Sequence, residues 1–327
     1  MTTIHPAIHP RGTAPVDPQV EATRLSLETR VTLAVQTSTS HGVLVRRAVD
    51  ELRSALEMET QQQAYLPPDI THRLLEVHQM RACLVEGLVR NSLAWERSVC
   101  CTSRAVRYLD RFLGGNGFDI AQHEGWVYHL VSNACQSITV KLTETQAVDP
   151  DALQQHLDIR FDKTCVNKME SVLLKELGWS INDIVPATYS SRLFYALGFE
   201  GDLHQKLTQK FDLFALSILY DPNLCFKFPP SVMSGSIVTI TLCDEFENVN
   251  INGVLLRIQE VFARVSMGSS DRDTDALGHS GALGFENALE SPLGSGHSDG
   301  GFDVQSASQC VTSLDAFRNA LANSARR

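Results

Sequence analysis

From Val43 to about Val265, apolar residues recur every three or four positions, and at both ends of the chain that rhythm stops. Residues 1–44 are rich in Thr, Pro and Ser and read as a mostly disordered N-terminal segment. Val45, Val49, Leu52, Leu56 and Met58 then line one side of a helix over 43–62. Leu66-Pro67-Pro68-Asp69 stops it and offers Asp69 as an N-cap for the next. Helices are predicted over 72–95 with a break near Arg81, 95–113, 123–145, 151–157 and 162–177. Gly114-Gly115-Asn116-Gly117 ends the second of these. Val127, Leu130, Val131, Ala134, Ile138 and Leu142 face inward on the third, and Cys165, Val166, Met169, Val172, Leu173 and Leu177 on the fifth. With the helix that precedes them, they make one all-α unit over 45–185.

Pro186 opens a second, more divergent version of the plan over 186–266, with helices at 187–197, 202–220, 230–245 and 250–265. Pro229-Pro230-Ser231 marks a helix start. Val232, Ile237, Val238, Thr239, Ile240 and Thr241 also suit a strand, but the run exceeds strand length and its neighbours are helical. Beyond Met267, Ser, Gly, Asp and His take over, and residues 267–327 read as a disordered tail. Leu314, Phe317 and Leu321 keep helical spacing there, with too little apolar surface to fold alone.

Within Arg104–Leu113 (RAVRYLDRFL), Ala105, Val106, Leu109, Phe112 and Leu113 share one helix side, and Arg104, Arg107 and Arg111 take the opposite side, where water solvates them. Asp110 falls beside Val106 and Leu113 at the edge of the apolar stripe. Either it faces solvent at that edge, or it is buried and needs a cation; Arg81, in the preceding run HQMRACLVEGLV, is the candidate.

The net charge of −10 argues against a dominant basic face for nucleic acid. Eight cysteines form no CxxC pair and no zinc-spaced cluster, so no metal and no cofactor are expected, and a reducing compartment is. No apolar run approaches the roughly 18 residues of a membrane span, and no signal-peptide core precedes the first helix, so a soluble intracellular protein without a membrane partner is expected. Cys100-Cys101 has no positioned His beside it, which makes poor material for a nucleophilic enzyme.

MRACLVEGLV, AVRYLDRFL, LVSNACQSITVKLTE and VNKMESVLLKELGW, in this order and at these separations, resemble the cyclin box of the cyclins. The likeness is strongest from His78 to Pro186. It continues more weakly into a second box through KFPPSVMSGSIVTITL, and GWSINDIVPATY is most like the G1, D-like group. The resemblance implies an all-α fold of two tandem five-helix cyclin-box bundles with flexible termini. It further implies a regulatory subunit, not an enzyme, that activates a cyclin-dependent kinase in cell-cycle control, in the nucleus and cytoplasm.

Carried over residue by residue, the resemblance makes Arg81 and Asp110 an ion pair that locks helices, Leu130 a support for the third helix, and Lys141 and Glu170 the contacts to the kinase. Met80, Cys83 and Leu84 resemble a patch that docks protein substrates or inhibitors through RxL-type motifs. Gly87 stands there in place of the usual Trp and Arg90 in place of the usual acid, so docking is expected to be weak or altered. Ser291-Pro292 is a phosphorylation candidate, Arg24-Leu25-Ser26-Leu27 matches a minimal RxxL degradation element, and the LxCxE motif of the D group is absent from the N-terminal region. A cyclin-box transcription factor would show basic boxes and a zinc ribbon, which the charge and cysteine spacing do not support. A transcription-associated cyclin is the nearer alternative.

Overall fold

The structure, a computed structural model, describes residues 38–63, 69–115, 124–143, 150–155, 159–247, 249–266 and 302–324. The expectations for residues 1–37 and 267–301, Arg24–Leu27 and Ser291 among them, lie outside the described residues. Among the described residues the regular elements are helices and no strand occurs. In chain order they are α1 (Ser38–Gln63), α2 (Ile70–Glu76), α3 (His78–Ala94), α4 (Val99–Leu113), α5 (Gly125–Thr143), α6 (Pro150–Leu153) and α7 (Lys163–Glu176). After a 3-10 turn at Pro186–Thr188 follow α8 (Ser190–Ala196), α9 (Gly201–Ile218), α10 (Pro222–Lys227), α11 (Pro230–Glu245), α12 (Ile251–Ser266) and α13 (Val304–Ser324).

Each bundle is wrapped around one helix that is buried on all sides over most of its length, a fully enclosed helix rather than a surface one. In the first bundle it is α5, buried without interruption from Leu130 to Val140 between α4 and α7. In the second it is α11, buried from Ser231 to Leu242. Its β-branched run is therefore helical because every side chain finds a packing partner, not because one face alternates. Three of its hydroxyls are satisfied within the helix: Ser236, Thr239 and Thr241 donate to the carbonyls of Val232, Gly235 and Ile237, each at 2.8 Å.

Four expectations are corrected. The preceding helix α1 belongs to the second bundle, not the first: it lies on α8 and α12, and Val45, Val49, Leu52 and Ala55 join the second core. The break in the first predicted helix falls at Val77, four residues before Arg81, so Arg81 sits inside a continuous helix. Asp69 stands at the start of α2, but its side chain makes no capping hydrogen bond. The tail assigned to 267–327 ends in α13, whose Ala307, Cys310, Val311 and Leu314 are buried against α11 and α12.

The last correction has a local and a tertiary cause. Asp303 caps α13, accepting from Gln305 N at 3.1 Å and Ser306 N at 2.9 Å, and Phe302 before it is buried at 1% exposure. The hydrogen bond from Ser306 holds the Asp303 carboxyl below its ordinary range. Phe302 stacks on Phe262 at 5.1 Å and lies over Gly235, where a Cβ would sit 2.6 Å from the ring. Ser236 Oγ also donates to the Ala307 carbonyl at 3.2 Å. An already folded surface of small residues thus supplies what the α13 stripe lacks by itself. The sequence also under-read α10, a six-residue helix opened by Asp221, which accepts from Asn223 N at 2.9 Å, and by Pro222 at its first position.

Two outcomes are expected. Phe302→Ala removes the ring seated on Gly235 and should cost about 3–5 kcal/mol in denaturant melts, with no loss of helix content before the transition. Asp212 on α9 is largely buried, and that burial pushes its carboxyl up to about 6. Its folded pKa thus exceeds the unfolded one, so stability falls as pH rises between the two. Asp212→Asn should therefore raise stability by on the order of 1–2 kcal/mol at pH 7.5 and leave it unchanged near pH 3.5. Equal gains at both pH values would contradict this.

Candidate functional site

Arg81 on α3 and Asp110 on α4 meet with 0% and 1% of their side chains exposed. Arg81 Nε donates to Asp110 Oδ1 at 2.7 Å and Nη2 to Oδ2 at 2.8 Å, a parallel two-bond fork. Nη1 reaches the Tyr220 carbonyl at 3.4 Å and Nη2 the Cys225 sulfur at 4.0 Å, so the pair also touches α9–α10 of the second bundle. Burial pulls the Arg81 guanidinium down, and the Asp110 charge and hydrogen bonds overcome that and hold it above its ordinary value. Burial likewise pushes the neighbouring Cys225 thiol up to about 12, so it stays protonated.

The arginines of the other α4 side do not face water, as their spacing suggests. They grip the connection between the bundles. Arg111 Nη1 donates to Ser180 O at 2.6 Å and Asp183 Oδ1 at 2.8 Å, and Nη2 to Leu177 O at 3.2 Å. Arg104 Nε donates to Asp183 O at 3.0 Å, and Tyr108 Oη to Ile181 O. Arg107 lies 4.0 Å from the Asp183 carboxylate and 4.4 Å above the Phe226 ring. The connection begins where α7 ends: Gly178 (φ 60°) and Trp179 (φ 59°) turn left-handed, while Trp179 N bonds Leu174 O at 2.9 Å and Gly178 N bonds Lys175 O at 3.0 Å.

This clamp fixes α4, α5 and α7 together, and on their outer side Lys141 and Glu170 come side by side. Lys141 Nζ lies 2.6 and 2.7 Å from the two Glu170 carboxylate oxygens. The lysine side chain is 48% exposed and the glutamate 12%. Leu142 and Val172, close to them in sequence and expected to face inward, are exposed apolar residues, and Cys165 is likewise exposed, because each falls on the side of its helix that no neighbouring helix covers. Leu130, at the start of the same helix, is buried in the first core. The arrangement presents one cation and one carboxylate, each with capacity to bond elsewhere, beside apolar surface.

Met80, Cys83 and Leu84 are not one exposed patch. Cys83 is exposed and Met80 half-buried, but the turn of α3 aims Leu84 into the core at 3% exposure. Cys83, Leu84, Gly87, Arg90, His129 and Ile159 line a dip there, and a Cβ at Gly87 would meet nothing within 4 Å.

One buried polar centre went unread. Glu59 on α1, 5% exposed, accepts from Tyr189 Oη at 2.6 Å, Ser231 N at 3.0 Å and Ser231 Oγ at 2.7 Å, which ties α1 to α8 and α11. Burial pushes its carboxyl up, and the Tyr189 and Ser231 bonds only partly offset that. The signal was available: Glu59 continues the stripe of Val45, Val49 and Leu52, whereas Met58 stands beside it.

The family described as "Cyclin, N-terminal domain" matches residues 50–182. Cyclin-D3-1 of Arabidopsis thaliana is 26% identical over 157 residues, which is 46% of this chain and 41% of that protein. Putative cyclin-D6-1 of the same plant is 29% identical over 141 residues, 41% of this chain and 44% of the relative. Cyclin-D2-2 of Oryza sativa subsp. japonica is 33% identical over 86 residues, 26% and 24% of the two chains. The matches thus span less than half the length of these curated relatives. A viral cyclin from herpesvirus saimiri shares the fold with TM-score 0.53 at 16% identity, over 72% of this chain and 97% of that one.

Removing half of the buried pair leaves a charge with no compensation. Asp110→Ala should cost about 3–5 kcal/mol and lower the melting temperature by on the order of 10 °C. An unchanged melting curve would refute the assigned role of the pair.

Proposed function

We propose that this chain, which belongs to the cyclin family and is D-like in its similarity, binds and activates a cyclin-dependent protein kinase as a regulatory subunit that does no chemistry of its own. The observation that carries the reading is the Lys141–Glu170 pair, held on one outer surface by α5 and α7. In the free protein each group satisfies the other. An exposed pair of this kind is worth about 0–1 kcal/mol, so little is lost when a partner intervenes. Lysine can donate to a backbone carbonyl and glutamate can accept from a backbone N–H, and both bonds strengthen once apolar neighbours exclude water. The occupant we assign is the kinase helix bearing its ATP-positioning glutamate. Holding that helix inward favours the state in which the kinase Lys–Glu pair forms, a shift of the partner's population.

The D-type names of the relatives support a role in G1/S control, and we place the protein in the nucleus and cytoplasm. Substrate or inhibitor docking through RxL-type motifs is weak in this reading. Gly87 offers none of the apolar contact of a large aromatic, and Arg90 sets a cation where a substrate arginine would come.

A tagged copy purified from cells should bring down an active kinase, identified by mass spectrometry and assayed on a histone-type substrate. Lys141→Ala with Glu170→Ala should reduce kinase recovery and activity at least tenfold while shifting the melting temperature by less than about 3 °C. Retained activity in a folded double variant would sink the assigned contact.

A further inference from the structure

Where the two bundles meet, the packing leaves a cavity of about 40 Å³, enough for about three waters. Ser103, Val106, Arg107 and Asp110, at helical spacing on one side of α4, form one wall. The rest of the wall is mostly apolar, with Val185 of the connection, Ile218 of α9, and Met233 and Ile237 of α11. Two of the polar groups on this wall are already engaged. Asp110 gives both oxygens to Arg81, and the Cys225 thiol donates to the Ile218 carbonyl at 3.4 Å.

Ser103 and Arg107 are not engaged in this way. Ser103 is only 3% exposed, yet among the described residues its hydroxyl has no hydrogen-bond partner. Its oxygen is not sealed off either, so its open side is the cavity it lines. The guanidinium of Arg107 likewise makes no hydrogen bond among the described residues. The carboxylate paired with it, that of Asp183, stands at 4.0 Å, beyond hydrogen-bond reach, and gives its other oxygen to Arg111 at 2.8 Å. The Phe226 ring covers one face of the guanidinium, which leaves the N–H groups in its plane unused. Burial pulls this guanidinium below its ordinary value, and the Asp183 and Asp110 charges only partly offset that. Glu59 also senses Arg107, but its carboxylate is bonded to Tyr189 and Ser231.

We propose that this cavity is a binding site for a small organic carboxylate, with Arg107 and Ser103 holding its head and the apolar wall its short body. A guanidinium fork matches two carboxylate oxygens, and Ser103, one turn earlier on the same helix side, adds a hydroxyl donor. A carboxylate of about two carbons fits the space. A phosphate dianion would bring a second charge that nothing on the wall compensates. The bound molecule would touch α4, the connection, α9 and α11 together, so its binding stabilises the arrangement of the two bundles. The inference uses no residue of the Lys141–Glu170 surface and stands apart from the kinase reading.

The test adds acetate to the full-length protein and follows saturation transfer to its methyl protons by NMR, with acetamide as the neutral molecule of the same shape. Acetate should bind saturably with a Kd of about 0.1–10 mM, as so small a ligand allows. Acetamide should bind about tenfold more weakly or worse, because it lacks the charge. Ser103→Ala removes a hydroxyl without a protein partner, so it should leave the melting curve unchanged and weaken acetate about threefold or more. Arg107→Gln should weaken acetate about tenfold or more. If that variant does not fold, Ser103→Ala and acetamide decide the matter. Absence of saturable transfer to acetate at about 50 mM would overturn the proposal and leave the cavity to water. Equal binding of acetamide and acetate would also overturn it, as would unchanged acetate affinity in either folded variant.

Discussion

A guanidinium and a carboxylate stripped of water hold this molecule in register. Neither Arg81 nor Asp110 could be buried alone, since an isolated charge in the interior costs far more than any packing it would allow. Together they fix α3 against α4 with two parallel bonds, and the remaining capacity of Arg81 reaches the Tyr220 carbonyl in the second bundle. The pair therefore specifies geometry more than it adds net stability, because a well-packed apolar replacement could be as stable without fixing the angle. What it fixes is the relation of α4 to everything that packs on it, including α5 and the outer surface where Lys141 meets Glu170.

The opposite side of α4 does a second job with the same residue type. Arg104 and Arg111, with Tyr108, bind backbone carbonyls at positions 177, 180, 181 and 183, and Arg111 adds the Asp183 carboxylate. A connection between bundles is ordinarily the place where relative motion enters. Here it is bonded along its length to α4 of the first bundle, so the second bundle inherits its position from that helix. Arginine suits the role because its planar fork bonds several acceptors at once while its stem packs.

The second bundle is completed by sequence from both ends of the chain. Its enclosed helix α11 carries Ser231, Ser234, Gly235 and Ser236, which leave room for close approach, and that room is filled by Phe302 and α13. On another side α1 contributes Val45, Val49, Leu52 and Ala55 and is anchored by Glu59 to Tyr189 and Ser231. The bundle is thus assembled from stretches more than 200 residues apart in sequence, by burial on one side and by a hydrogen-bonded carboxylate on the other.

The order and type of the helices were legible because helical periodicity is a local property: α4, α5, α7 and α9 announce themselves in their own residues. The position of Asp110 at the edge of the apolar stripe was legible for the same reason, and with it the condition that a buried Asp110 needs a cation. Three things were not. Arg107 and Arg111 looked solvent-facing because a pattern of side chains says nothing about another segment's backbone carbonyls, which are what Arg111 binds. The α13 stripe looked too small to fold because the surface it needs lies on α11, over 60 residues earlier. Leu84 was assigned to a surface patch by resemblance, which matches positions along the chain and leaves the direction of each side chain to the packing. Local sequence settled which stretches coil and which groups demand partners; only the tertiary structure decided which partners they found, because burial is a property of the whole assembly.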